Sequence, residues 1–144
     1  MTIEQLTAKE QIREVIDRFS NLECDVHAQI PLFTKDVRVR VYMGGQLAMD
    51  ISGVEDLERQ FGAFTVGVEA SCHMNGQQVI ELDGDRATDV HYCRAVLVTV
   101  EDGKKYFSDN YIRYKDTLVC RDGKWLISER EQHFVISERR LMDA

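Results

Sequence analysis

Residues 83–127, with the sequence DGDRATDVHYCRAVLVTVEDGKKYFSDNYIRYKDTLVCRDGKWLI, decide the fold. Three short turns divide this stretch, at Asp83-Gly84-Asp85, Glu101-Asp102-Gly103 and Arg121-Asp122-Gly123. Asp-Gly pairs favour tight reversals of the chain, and the segments between them are apolar or alternate between apolar and polar residues, as strands do. The pattern predicts long antiparallel strands near residues 71–82, 86–100, 105–120 and 124–135.

The chain before these strands contains a hairpin and helices. Val37, Val39 and Val41 alternate with polar residues and predict a half-buried strand, which Gly44-Gly45 can turn back into residues 47–51. Ser52-Gly53-Val54-Glu55 is typical of a helix start. Helices followed by long strands predict one α+β domain over residues 1–144, with the helices packed on one face of the sheet.

The first predicted helix is amphipathic. Its apolar residues recur every three or four positions, at Ile12, Val15, Ile16, Phe19, Leu22 and Val26. Thr7-Ala8-Lys9-Glu10 fits the capping-box pattern, in which the threonine and the glutamate each satisfy a free backbone amide. We therefore expect the helix to begin near Thr7.

Glu23 is a carboxylate on the apolar face of this predicted helix, one turn beyond Phe19. An unpaired carboxylate taken out of water is costly, so the position predicts a partner or a wet pocket. His27, one turn further on, is a candidate partner if the helix extends that far. The alternative is that the helix ends near Glu23 and the side chain reaches solvent.

Composition limits the classes of partner. The chain has 25 acidic and 18 basic residues, a formal net charge of -7, which argues against nucleic acid and anionic membranes. No segment approaches the roughly 20 apolar residues that span a bilayer, and none resembles a secretion signal, so we expect a cytoplasmic protein. Cys24, Cys72, Cys93 and Cys120 include no close pair, which argues against a disulfide framework or a zinc site.

In its order of short motifs, nearly the whole chain resembles the SnoaL-like branch of the nuclear transport factor 2-like superfamily. The motifs are VIDRF at 15–19, FTKDV at 33–37, Gly53, His73, DGDRA at 83–87, YKD at 114–116, DGKWLI at 122–127 and Arg130. The resemblance implies N-terminal helices packed in the concave face of a curved, mainly antiparallel sheet, a cone with a deep apolar pocket. It also implies a homodimer formed through the outer face of the sheet.

The family includes scytalone dehydratase, ketosteroid isomerase and bile-acid dehydratases, in which a histidine and a carboxylate move protons without a cofactor. The resemblance implies that His73 is the catalytic histidine, that Glu23 is its acidic partner with an offset of one residue, and that His91 is a second pocket histidine. Histidine suits this role because its ordinary pKa is near neutrality. Asn75 shares a strand face with His73 and is a candidate donor to the substrate.

Four further residues are expected to contact the substrate. Tyr114 and Asp116 match a Tyr-x-Asp segment of the family, with a hydrogen bond on the convex face as the alternative. Phe19 and Val41 stand where the dehydratases carry pocket tyrosines, which predicts an altered activity. His73, Glu23 and His91 have no metal-ligand spacing, so no metal is predicted.

The sequence therefore predicts a cofactor-independent acid–base enzyme, of the dehydratase, isomerase or cyclase type, acting on a small and largely apolar molecule. The alternative is a non-catalytic module of the same fold that binds a small ligand or dimerises. A third interpretation is a small subunit that scaffolds a larger oxygenase. Loss of turnover in a His73→Ala variant that still folds would favour the first.

Overall fold

The computed structural model describes residues 1–143, which form three α-helices and a six-stranded sheet. The helices are α1 (Ile3–Asn21), α2 (Val26–Gln29) and α3 (Val54–Phe64), with a 3-10 turn at Ile30–Leu32. The strands are β1 (Phe33–Met43), β2 (Gln46–Ser52), β3 (Val68–Asp83), β4 (Arg86–Glu101), β5 (Lys104–Arg121) and β6 (Lys124–Leu141). The predicted α+β fold, with helices packed on a curved and mainly antiparallel sheet, is confirmed.

The strand order is β2-β1-β6-β5-β4-β3, with β1 and β6 parallel and all other neighbours antiparallel. The register shifts between Asn75 and Gln78 on β3 and between Tyr111 and Ile112 on β5. Such bulges increase local twist and bend a strand. All four predicted long strands are present, but β3 begins at Val68 and β6 continues to Leu141, beyond the predicted limits.

The main core lies between α1 and the half of the sheet formed around β1 and β6. Ile12 and Ile16 of α1 are fully buried, and Phe19 packs edge-to-face on Phe33 with ring centroids 5.7 Å apart. The buried strand residues of this core include Val37, Val39, Val41, Leu118, Trp125 and Ile127. Other segments of β4, β5 and β6 lie outside this core and line a cavity, among them Leu97, Asn110 and Gln132.

The predicted start of α1 is wrong by more than one turn. Thr2 is the N-cap and forms a capping box with Gln5, whose side chain accepts from the Thr2 amide at 2.9 Å. Residues in the added first turn, such as Ile3 and Leu6, are exposed and contribute nothing to the apolar stripe. Hydrophobic periodicity therefore gave no sign of this turn. Within residues 1–143, we find no helix with the length and apolarity needed to cross a membrane.

Candidate active site

A cavity of about 680 Å³ lies between the helices and the concave face of the sheet. Its lining is mostly apolar and includes Phe19, Val26, Phe61, Leu97, Ile112 and Phe134. Polar side chains interrupt this lining, among them Glu23, Gln29, His73, Asn110, Tyr114 and Gln132. A cavity of this size, apolar with a few polar groups, is typical of a site for a small organic molecule.

The cavity has a buried inner end and an exposed rim. Tyr114 and Gln132, on β5 and β6, are 4% and 7% exposed and lie at the inner end. Phe64 and Val66, after α3, are exposed and lie at the rim. The cavity therefore opens past α3 and runs along the strands to Tyr114.

Helix α1 ends before Glu23, contrary to the predicted continuous helix. The last helical residue is Asn21, and Glu23 adopts a left-handed backbone conformation with φ of 56°. This conformation costs a non-glycine residue roughly 1–2 kcal/mol. The buried Gln29 side chain holds the reversal by donating to the Glu23 carbonyl at 2.8 Å and to the Phe19 carbonyl at 3.2 Å. Val26, expected on the same helix, belongs to α2.

The reversal turns the Glu23 carboxylate toward β3 rather than into solvent. Glu23 accepts hydrogen bonds from the His73 amide and from the Ser71 hydroxyl, each at 3.0 Å. Its Oε2 also contacts His73 Nδ1. The His73 side chain is 13% exposed and the Glu23 side chain 34%. A carboxylate on Nδ1 places the ring proton there, which leaves Nε2 as the acceptor.

His91 lies behind the cavity wall in a buried polar cluster, which we define as Asp89, His91, Asp116 and Arg130. His91 Nδ1 is 2.6 Å from Asp89 Oδ1, and Arg130 binds both carboxylate oxygens of Asp116 at 2.7 and 2.8 Å. The possible ligand atoms of Asp89, His91 and Asp116 lie within 4.8 Å of one another. Arg130 engages Asp116 and His91 engages Asp89, whereas Asp89 Oδ2 and Arg130 Nη1 have no hydrogen-bond partner within residues 1–143.

The buried cluster reaches the cavity through aromatic rings. The imidazole of His91 stacks on Tyr114 with centroids 4.9 Å apart, and the Arg130 guanidinium lies 4.1 Å from the Phe19 centroid and 4.6 Å from that of Tyr114. Burial raises the pKa of Tyr114 above its usual range. Tyr114 and Phe19 line the cavity, whereas Asp116 and His91 support the wall behind them.

Three other predicted residues lie away from the cavity. The Asn75 amide accepts from the Ser20 hydroxyl at 3.0 Å and donates to Asp17 at 2.9 Å, so it ties α1 to β3. Val41 is packed in the main core. His27 pairs with Glu58 at 2.5 Å and not with Glu23. Of the predicted site residues, Glu23, His73, Phe19 and Tyr114 therefore line one cavity.

Sequence reasoning missed Asn110 and Gln132. Asn110 lines the cavity and donates to the Ala95 carbonyl at 3.1 Å, which leaves its Oδ1 free to accept within residues 1–143. Asn110 is an even number of residues from Tyr114 on the same strand, so strand periodicity was a usable signal. Gln132 is placed beside Tyr114 by the pairing of β5 with β6, which no local pattern predicts.

Comparisons with solved structures agree with this architecture. A scytalone dehydratase candidate from Novosphingobium aromaticivorans is 19% identical with a TM-score of 0.81, over 100% of this chain and 95% of that one. A nuclear transport factor 2-like protein with a cystatin-like fold, from the same organism, is 21% identical with a TM-score of 0.70, over 92% and 85% of the two chains. Hexachlorocyclohexane dehydrochlorinase LinA type 3 from Novosphingobium barchaimii is 12% identical with a TM-score of 0.76, over 96% and 93%.

A search of curated protein sequences found no match. The model of the SnoaL-like domain family, however, matches residues 4–131, which include both Glu23 and His73. The match covers well over half of the chain. The chain therefore belongs to the SnoaL-like domain family.

Proposed function

We propose that the protein is a cofactor-independent acid–base enzyme, of the dehydratase, isomerase or cyclase type, that acts on a small and largely apolar molecule. The contact between Glu23 and His73 at the wall of an apolar cavity carries the proposal. Similarity to a scytalone dehydratase candidate and to dehydrochlorinases, whose names denote elimination chemistry, supports it.

In this mechanism, His73 is the base. Glu23 holds the proton on Nδ1, so Nε2 accepts a proton from a carbon next to a carbonyl or a leaving group. Glu23 then stabilises the imidazolium that forms, as a carboxylate does in other histidine pairs. The protonated His73 can return the proton to a leaving hydroxyl or to a neighbouring carbon. Asn110 Oδ1 is placed to accept a hydrogen bond from a substrate hydroxyl.

Proton exchange tests the base without knowledge of the natural substrate. The probe is β-tetralone, a bicyclic ketone, and the readout is the exchange of its α-protons in D₂O, followed by NMR. We expect the protein to accelerate exchange and His73→Ala to reduce the rate by about 10²–10⁴-fold. Glu23→Gln, which keeps the shape of the side chain but removes its charge, should also reduce the exchange rate.

His27→Ala is the matched control, because His27 is exposed, pairs with Glu58 and does not line the cavity. Its exchange rate should equal that of the unchanged protein. An unchanged rate in His73→Ala would overturn the role of His73. Binding of β-tetralone without any acceleration of exchange would favour the non-catalytic binding module instead.

Two further parts of the proposal concern the setting of the enzyme. We place it in a reducing compartment, the cytoplasm, because all four cysteines are free thiols. We also propose a homodimer formed through the outer face of the sheet. Met74, Val79, Tyr92 and Tyr111 are large apolar or aromatic side chains exposed on the strands of that face.

A further inference from the structure

Tyr114 and Gln132 form a polar pair at the inner end of the cavity. They are direct cross-strand partners on β5 and β6, and each is more than nine-tenths buried. Neither the Tyr114 hydroxyl nor the Gln132 amide is among the buried polar atoms that lack a partner within residues 1–143, and both residues line the cavity. Their polar ends therefore open onto the cavity, where a ligand oxygen can pair with them.

The buried cluster behind the wall fixes the direction of Tyr114. The ring of His91 stacks on that of Tyr114 at an interplanar angle of 8°, and His91 is itself held by Asp89. A tyrosine hydroxyl is protonated at neutral pH, and burial raises the pKa of Tyr114 further, so this hydroxyl is available as a hydrogen-bond donor. A rigid donor of this kind loses little entropy when a ligand binds.

The pair offers neutral hydrogen-bond donors. The Tyr114 hydroxyl and the Gln132 amide can each donate to a carbonyl or hydroxyl oxygen of a ligand. A neutral oxygen of this kind loses less hydration energy on entering an apolar cavity than an ion does.

The pair is remote from His73. His73 faces Ala95 across the β3–β4 pairing, whereas Tyr114 faces His91, four residues away on β4. Four strand residues span about 13 Å at roughly 3.3 Å per residue. The wall between them is apolar, with Cys93 and Ile112 buried side by side.

We propose that Tyr114 and Gln132 form a subsite for a carbonyl or hydroxyl oxygen of the ligand, at the far end of an apolar body whose other end reaches His73. The position of the reacting end rests on the proposed function, but the binding of the oxygen does not. The ligand class that fits is an oxygenated ring system with one polar group at its buried end.

Binding of two matched probes tests the subsite. β-Naphthol carries a hydroxyl and is fluorescent, and β-methylnaphthalene replaces the hydroxyl by a methyl group of similar size. We expect the protein to bind β-naphthol more tightly, measured by fluorescence titration and by competition between the two probes. Tyr114→Phe and Gln132→Leu should each weaken β-naphthol binding by roughly two- to tenfold and leave β-methylnaphthalene binding unchanged.

His73→Ala separates this inference from the proposed function. It should leave the preference for β-naphthol intact even if it abolishes proton exchange. Equal affinity of the unchanged protein for both probes, or an undiminished preference in both Tyr114→Phe and Gln132→Leu, would overturn the subsite. A preserved preference together with exchange that does not depend on His73 would overturn the proposed function and leave the subsite standing. Thermal unfolding of each variant shows whether the fold is retained.

Discussion

Glu23 shows how far a single residue can be understood from the sequence. The sequence placed it on the apolar stripe of a continuous helix and predicted a partner; the helix ends before Glu23, but the carboxylate does have a partner, His73. The backbone reversal at φ of 56° was not predictable, because glutamate has no preference for the left-handed region. Gln29, which holds the reversal, lies six residues further on and carries no local signature.

Tyr114 gives a prediction for alkaline stability at the same scale. Its folded pKa is raised by burial above the unfolded value of about 10, so its contribution is fully present below pH 10 and is lost as pH rises toward the folded pKa. Urea denaturation between about pH 9 and 11 measures the free energy of unfolding. This free energy should fall less steeply with pH in Tyr114→Phe than in the unchanged protein. The two slopes should differ by up to about 1.4 kcal/mol per pH unit.

Tyr111→Phe is the control for this measurement, because Tyr111 is exposed on β5 and its ring contacts Arg94. Its pH dependence should match that of the unchanged protein. Burial also raises the pKa of Cys93 to about 11, so the free energy of unfolding still depends on pH in every variant. Parallel pH profiles for Tyr114→Phe and the unchanged protein would contradict the assigned burial of the hydroxyl.

At the scale of elements, the interiors were predictable and the ends were not. The Asp-Gly turns fixed where β3, β4, β5 and β6 meet, because a tight turn demands particular residues. The free ends lack such a requirement. Residues 136–141 of β6 are exposed, and apolar and polar residues do not alternate regularly among them. They nevertheless pair with β5, from Tyr111 back to Tyr106. Pairing with a neighbour, rather than local pattern, forms this part of the strand.

The N-terminus of α1 gives a direct test of which capping box is used. Thr2→Ala removes the hydroxyl that accepts from the Gln5 amide at 3.1 Å, and should reduce the free energy of unfolding by about 1 kcal/mol. Thr7→Ala, the same substitution inside the helix, should cost nothing, because alanine is the better helix former. Urea denaturation of both variants measures the difference. A larger loss in Thr7→Ala would restore the helix start predicted from the sequence.

At the scale of the whole molecule, the fold was predictable because motifs, turns and strand spacing all agree along the chain. The site was only partly predictable. The family resemblance indicated His73 and Tyr114. Gln132 reaches the cavity only because β6 pairs with β5, and His91 lies outside the cavity because it stacks behind Tyr114. Register across a sheet is a non-local property, so a list of residues along one strand does not contain it.

The outer face of the sheet carries the last prediction, that the protein is a dimer in solution. Tyr92 and Tyr111 are exposed there, each with an arginine over its ring, Arg113 at 6.0 Å and Arg94 at 5.3 Å. Tyrosine, methionine and arginine are the residues that interfaces favour, and charges placed among them are disfavoured. Tyr92→Asp should therefore convert the dimer into a monomer, as measured by light scattering after size-exclusion chromatography over a range of concentrations. Leu6→Asp, at an exposed apolar position on α1, should leave the dimer intact. A monomer in the unchanged protein would overturn the predicted dimer. A dimer that survives Tyr92→Asp and dissociates with Leu6→Asp would show that the interface does not lie on the outer face of the sheet.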